Sequence, residues 1–139
     1  MLERHSIKRG LDIPISGQPD SSIDRSRSIR RAAIVGDDYI GMRPTVLVSV
    51  GDLVRCGQPV LEDKKTPGVL FTAPISGRVT GIERGAKRRF LSLIIDQSDV
   101  DLDQLPPVSW ELPAGGDVQS GEREQWVELL RQSGLWTAL

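Results

Sequence analysis

The chain has 139 residues with a formal net charge of −1, enough for one ordinary domain or a small domain with appendages. Hydrophobic residues make up 38% but aromatics only 4%, so the core must be built from Val, Ile and Leu, which suits short strands better than a large ligand pocket. Balanced charge argues against binding a nucleic-acid backbone, and the single cysteine, Cys56, excludes an internal disulfide or a Cys-based zinc or iron–sulfur site within one copy.

The chain opens on a polar leader. It carries the only histidine, His5, and lacks the apolar stretch of a signal peptide. Within it Leu11-Asp12-Ile13-Pro14-Ile15 alternates apolar and polar positions, which predicts a short edge strand, because Pro14 cannot donate to a ladder. Ser21, Ser22, Ser26 and Ser28 then interleave with Arg25, Arg27, Arg30 and Arg31. With no aromatic between the arginines, this stretch reads as a solvated loop rather than a phosphate or nucleic-acid patch.

From Ala32 to Asp96 the pattern is β throughout. Strands are predicted at 32–35, 45–48, 59–61, 69–71, 78–82 and 91–95, separated by turn signals at Gly51-Asp52, Cys56-Gly57, Pro67-Gly68, Ser76-Gly77 and Gly85. Short strands punctuated by glycine turns indicate a sandwich or barrel. Val46–Gly51 and Val79–Gly85 read as an approximate repeat, which predicts two intertwined β halves around one small core.

Beyond Asp96 the composition changes. Asp96, Asp99, Asp101 and Asp103 before Pro106-Pro107 read as an acidic, extended linker, since a calcium loop counted from Asp96 would put Asp101 where Gly is needed and Pro107 where Glu is needed. Residues 121–133 form the one convincing helix. Ser120 is its expected cap, Trp126, Leu129 and Leu130 share a face, and Gly134 suits the left-handed position after the last turn. The apolar ending around Trp136 reads as sequence that continues into further domains.

Chemistry-bearing sets are sparse. One His and one Cys leave no triad, and neither a G-x-G-x-x-G nor a Walker A loop occurs. Asp37-Asp38 and Glu62-Asp63 are adjacent acids, which point to opposite faces of a strand and do not converge on a metal. The expectation is therefore no catalytic and no metal-binding residue in this chain, and no membrane span, as no run approaches the roughly 18 apolar residues a membrane helix needs.

Val50-Gly51-Asp52-Leu53-Val54-Arg55-Cys56-Gly57-Gln58-Pro59-Val60-Leu61 resembles the turn-and-strand signature of biotinyl and lipoyl carrier domains, with Leu53, Val54 and Val60 expected to point inward. Ala73-Pro74-Ile75-Ser76-Gly77-Arg78-Val79 is similar to the matching turn of their second half. The fold implied is mainly β, a barrel-sandwich hybrid like that of biotinyl and lipoyl carriers, flanked by an N-terminal extension (1–31) and a C-terminal segment with one α-helix (97–139). Glu62-Asp63-Lys64-Lys65-Thr66 lies where a carrier presents its modified lysine, which makes Lys64 the candidate acceptor. Thr66-Pro67-Gly68-Val69 lengthens that hairpin, so Lys64 is displaced from the tip and expected to be unmodified.

A longer resemblance covers the chain. Lys8–Gly17, Gly41-Met42-Arg43-Pro44-Thr45, Glu62–Val69, Phe71-Thr72-Ala73-Pro74 and Ser133–Leu139 are similar, in order, to segments of the A subunits of the sodium-translocating NADH:quinone reductases. The resemblance implies a peripheral subunit on the cytoplasmic side of the bacterial inner membrane, partnered by the other subunits of a redox pump. That complex uses NADH, flavins, iron–sulfur centres and ubiquinone and exports sodium; this chain would hold no cofactor itself and serve assembly or interaction. The alternatives are a swinging-arm lipoyl or biotinyl carrier, and the carrier-like C subunit of a related ion-linked electron-transport complex.

Overall fold

The computed structural model describes residues 16–17, 20–24, 26–116 and 120–138; the edge strand expected at 11–15 and the lone His5 lie outside them. Seven strands follow in chain order: β1 (Arg31–Val35), β2 (Pro44–Val46), β3 (Leu53–Val54), β4 (Pro59–Asp63), β5 (Leu70–Thr72), β6 (Gly77–Arg84) and β7 (Phe90–Asp96). Among the described residues one α-helix, α1 (Arg123–Gln132), follows. All strand pairs are antiparallel and form two sheets, β1-β7-β6-β3 and β2-β4-β5. The four-stranded sheet draws strands from both the early and the late part of the chain, with the three-stranded sheet's strands threaded between them in sequence, so the halves interlock. The expected barrel-sandwich architecture is present.

The six predicted strands are all found, and β3 is the addition. Val46–Gly51 and Val79–Gly85 are not equivalent: the first leaves the three-stranded sheet through a turn into β3 of the other sheet, while the second runs from β6 into its hairpin with β7. The two carrier-like turns meet instead through β3 and β6, where Leu53 pairs with Arg78 and Val54 with Gly77. Beside them, Gly51 N–H donates to the Val79 carbonyl at 2.8 Å and Val79 N–H to that of Asp52 at 2.9 Å.

Aliphatic side chains fill the space between the sheets, as the scarcity of aromatics requires. Val54, Val60, Leu61, Val79, Leu93 and Ile95 are fully buried, and Ile34, Phe71, Ala73 and Phe90 complete the cluster. Each fully buried Leu or Ile of this kind contributes about 1.5–3 kcal/mol through removal from water. Val54 and Val60 point inward as expected, but Leu53 is exposed, because neighbouring residues of a strand face opposite sides. On β7, plain alternation would bury Leu91, Leu93 and Ile95 together. The β6–β7 register instead jumps between Glu83↔Ser92 and Arg84↔Phe90, and this bulge turns Leu91 outward and Phe90 into the core.

The C-terminal segment folds back onto the β layers rather than running away as an extended linker. Val108 N–H donates to the Cys56 carbonyl at 2.8 Å, and Trp110 lies beside Gly57. α1 starts from Glu122, whose carbonyl receives the Gln125 and Trp126 amides, and its C-cap is Ser133, whose amide returns to the Leu129 carbonyl. Glu122 takes the N-cap position expected for Ser120. Gly134 follows with φ +79°, the left-handed geometry that lets the chain turn sharply, and it sits against Thr72 of β5. The Thr72 hydroxyl donates to the Ser133 carbonyl at 3.3 Å, which ties the helix end to the three-stranded sheet. Trp136 packs on Arg131, 5.4 Å from guanidinium to ring centre.

Candidate functional site

The β4–β5 hairpin is built by its two acids. Asp63 Oδ1 accepts from the amides of Arg43 (3.0 Å) and Lys65 (3.2 Å), and Glu62 Oε1 accepts from Gly68 N–H (3.0 Å). These adjacent carboxylates therefore brace a loop. Thr66 N–H donates to the Asp63 carbonyl and Val69 N–H to that of Thr66, which rounds the tip at Thr66-Pro67-Gly68. Lys64 is the first residue past β4, and its amide is tied to the Arg43 carbonyl at 3.0 Å. It lies at the strand end rather than at the tip, and it is exposed.

Lys64 and Lys65 border an open cleft of about 800 Å³ at one end of the sandwich. Its other walls come from the β1–β2 connection, with Tyr39, Ile40, Met42 and Arg43, and from the β6–β7 hairpin, with Arg84, Lys87, Arg88 and Arg89. Beyond the Arg43 bonds to Asp63 and Lys64, two contacts fix these pieces together. Arg89 pairs with Asp37, and the Lys65 ammonium lies against the backbone of Gly41, 3.4 Å from where a side chain there would begin. Tyr39 stacks edge-on against buried Phe71, ring centres 4.7 Å apart, so the cleft floor continues into the core.

The β6–β7 turn carries the backbone strain. Lys87 (φ 53°) and Arg88 (φ 61°) both have positive φ, and Arg89 N–H closes the turn onto the Ala86 carbonyl at 3.1 Å. This is the geometry of a primed hairpin turn, whose central pair is normally Asn-Gly or a similar permissive dipeptide. In sequence, Lys64 reads as a carrier-type acceptor displaced from its hairpin tip, and nothing in that reading brings it and Lys65 together with Lys87, Arg43, Arg84, Arg88 and Arg89. The available signal was the unbroken run Lys87-Arg88-Arg89 between two strands.

Cys56 sits elsewhere, partly buried on the β3–β4 turn. Its thiol approaches the Pro74 carbonyl at 3.4 Å, and its amide donates to the buried Ser76 hydroxyl at 2.8 Å. The Ser/Arg stretch shows small local turns: Asp20 and Asp24 accept from the amides of Ser22 and Ser26, and bonds to these serines hold each carboxyl below its usual range. Among the described residues no group of three or more His, Cys, Asp or Glu is placed to hold a metal ion, and no helix is long and apolar enough to cross a membrane.

A family model described as the NqrA N-terminal barrel-sandwich hybrid domain matches residues 5–98, more than half of the chain. The chain belongs to this family. Among curated relatives, the A subunit of the Na(+)-translocating NADH-quinone reductase of Rhodopirellula baltica is 52% identical over 132 residues, covering 95% of this chain and 28% of the relative. The A subunits from Tolumonas auensis and Hahella chejuensis are each 45% identical, covering 96% of this chain and 29% of theirs. The chain thus spans less than a third of the length of these relatives. The family match takes in all seven strands and the whole basic cleft. α1 lies beyond it.

Proposed function

We propose that this chain is the N-terminal part of the A subunit of a sodium-translocating NADH:quinone reductase, and that it serves assembly or interaction rather than electron transfer. The observation that carries the reading is the alignment of 95% of the chain with a relative of that name, on a fold of the matching domain family. The proposed organisation is an N-terminal extension to residue 31, a β domain from 32 to 96, and a C-terminal segment from 97 to 139 that docks on it. Partners are the other subunits of the complex, on the cytoplasmic side of the membrane. NADH, flavins, iron–sulfur centres and ubiquinone belong to the assembled machine.

The chemistry of the chain supports a non-catalytic role. One cysteine and one histidine supply neither a cluster nor a haem ligand pair, and the interior is filled by its own aliphatic side chains. Lys64 stays unmodified in this reading, since a carrier lysine has to be offered at a hairpin tip and the tip here is Thr66-Pro67. The test is purification of the full-length protein with its complex, crosslinked from Lys64, Lys65 and Lys87, beside assays on the isolated 139 residues. Crosslinks to reductase subunits, an unadorned intact mass and no NADH:quinone turnover are expected. Saturable micromolar binding of a short-chain quinone to the isolated chain, or a lipoyl adduct on Lys64, would overturn the assignment.

A further inference from the structure

We propose that the basic cleft end of the β sandwich docks on an anionic phospholipid surface, with the cations engaging headgroup phosphates and Ile40 entering between them. Seven exposed basic side chains from three separate connections converge there, against a single lining acid, Asp37, already paired to Arg89. In a chain whose overall charge is −1, such concentration at one end is a segregation of charge rather than a general excess.

The strained turn is an independent observation. Two long cations occupy central positions where a left-handed backbone favours Gly or Asn. Stability alone would select the permissive residues. Lys87 and Arg88 instead project two charges from the extremity of the longest hairpin, and strain of this kind concentrates where a protein meets something else.

The same geometry identifies the occupant. A pocket for a free phosphate or a nucleotide offers convergent backbone amides, but here the amides of Arg43, Lys64, Lys65, Gly68, Arg88 and Arg89 are all bonded internally. Exposed ammonium and guanidinium groups stand around an open cleft, with a fully exposed Ile40 among them. Diffuse positive charge with an aliphatic wedge matches an anionic headgroup layer, which attracts basic residues additively and accepts an apolar side chain at its boundary. The inference concerns the chain's own surface and stands apart from the proposed role in the reductase, so either can fail without the other.

The experiment is cosedimentation of the 139-residue chain with vesicles of phosphatidylcholine alone and of equimolar phosphatidylcholine and phosphatidylglycerol, at low and high salt. Binding is expected only to the anionic vesicles and is lost at high salt. The double variant Lys87→Asn, Arg88→Gly relaxes the turn, so its urea midpoint rises while its vesicle affinity drops about 25-fold, at roughly fivefold per cation removed. A variant that is better folded yet binds worse cannot be dismissed as misfolded. Ile40→Ser weakens binding without changing its salt dependence. Equal binding to both vesicle types, undiminished binding by the double variant, or an unchanged Ile40→Ser would overturn the proposal. So would inorganic pyrophosphate or polyglutamate binding the chain more tightly than vesicles do, since either points to a soluble phosphate or an acidic peptide as the ligand.

Discussion

Gly77 and Gly81 lie on the same strand, and replacing each with alanine should move stability in opposite directions. A Cβ at Gly77 would stand 2.6 Å from the Asp96 carbonyl oxygen, 2.9 Å from its carbon and 2.9 Å from Ile95 Cγ2. Two of those atoms are backbone of the neighbouring strand, so no side-chain rotation relieves the clash and β6 must separate from β7. Overpacking of this kind costs up to about 3 kcal/mol, and the reduced freedom of the unfolded chain returns roughly 0.4–1 of it, leaving a net loss of about 2 kcal/mol. At Gly81 the nearest atoms are the Glu83 carboxylate and the Ile94 Cδ1, both at 3.3 Å and both at the ends of flexible side chains. Gly81→Ala should therefore be neutral or stabilising by up to about 1 kcal/mol. Urea unfolding followed by far-UV circular dichroism measures both. A Gly77→Ala protein within about 0.5 kcal/mol of the parent would refute the reasoning, because the close approach of the strands would then not exist.

Two further outcomes test other joints. The Asp96 carboxyl is held at about 2, first by the Ser98 hydroxyl and amide and then by Arg31, so its contribution is complete above the ordinary carboxylate range and is lost as pH falls towards 2. Asp96→Asn should flatten the part of the acid-unfolding curve lying between about pH 4 and 2, which a pH series of urea midpoints would register. Gly134→Ala forces a side chain to a left-handed backbone and to within 2.8 Å of the Thr72 hydroxyl; it should loosen the helix end by about 1–2 kcal/mol, seen as an earlier tryptophan fluorescence transition with the β signal intact.

How far the sequence revealed this protein differs by element. Apolar runs between turn glycines placed six strands, because each run is long enough for its pattern to show. β3 escaped because two residues carry no period, and the outward turn of Leu91 escaped because it depends on a bulge imposed by the partner strand. The return of the C-terminal segment was hidden for a similar reason: Val108 is held through its backbone, and a backbone bond leaves no mark on a Pro-rich acidic stretch. At the cleft, Lys64 was legible only as a lysine displaced from a carrier-like tip, and Arg43, Lys64 and Lys87 are brought together by the pairing of strands. The positive φ of Lys87 and Arg88 had no signal at all, since Lys-Arg is not a turn dipeptide.

The register of β1 on β7 has a mechanical consequence. Arg31 lies opposite Asp96, and Gln97 N–H donates to the Arg30 carbonyl at 2.9 Å, so the chain enters and leaves the β domain at one point. Tension between the two flanks would load these rungs singly, starting with the Gln97–Arg30 bond and then the Arg31–Asp96 ion pair, and peel β1 away as a zipper opens. Sheared strands share a load across all their bonds; this pair, pulled from its flanks, cannot. Pulled by its flanks, the domain should yield at low force from that corner, whereas tension applied between Val35 and Asp96, at opposite ends of the ladder, would meet all five register pairs together.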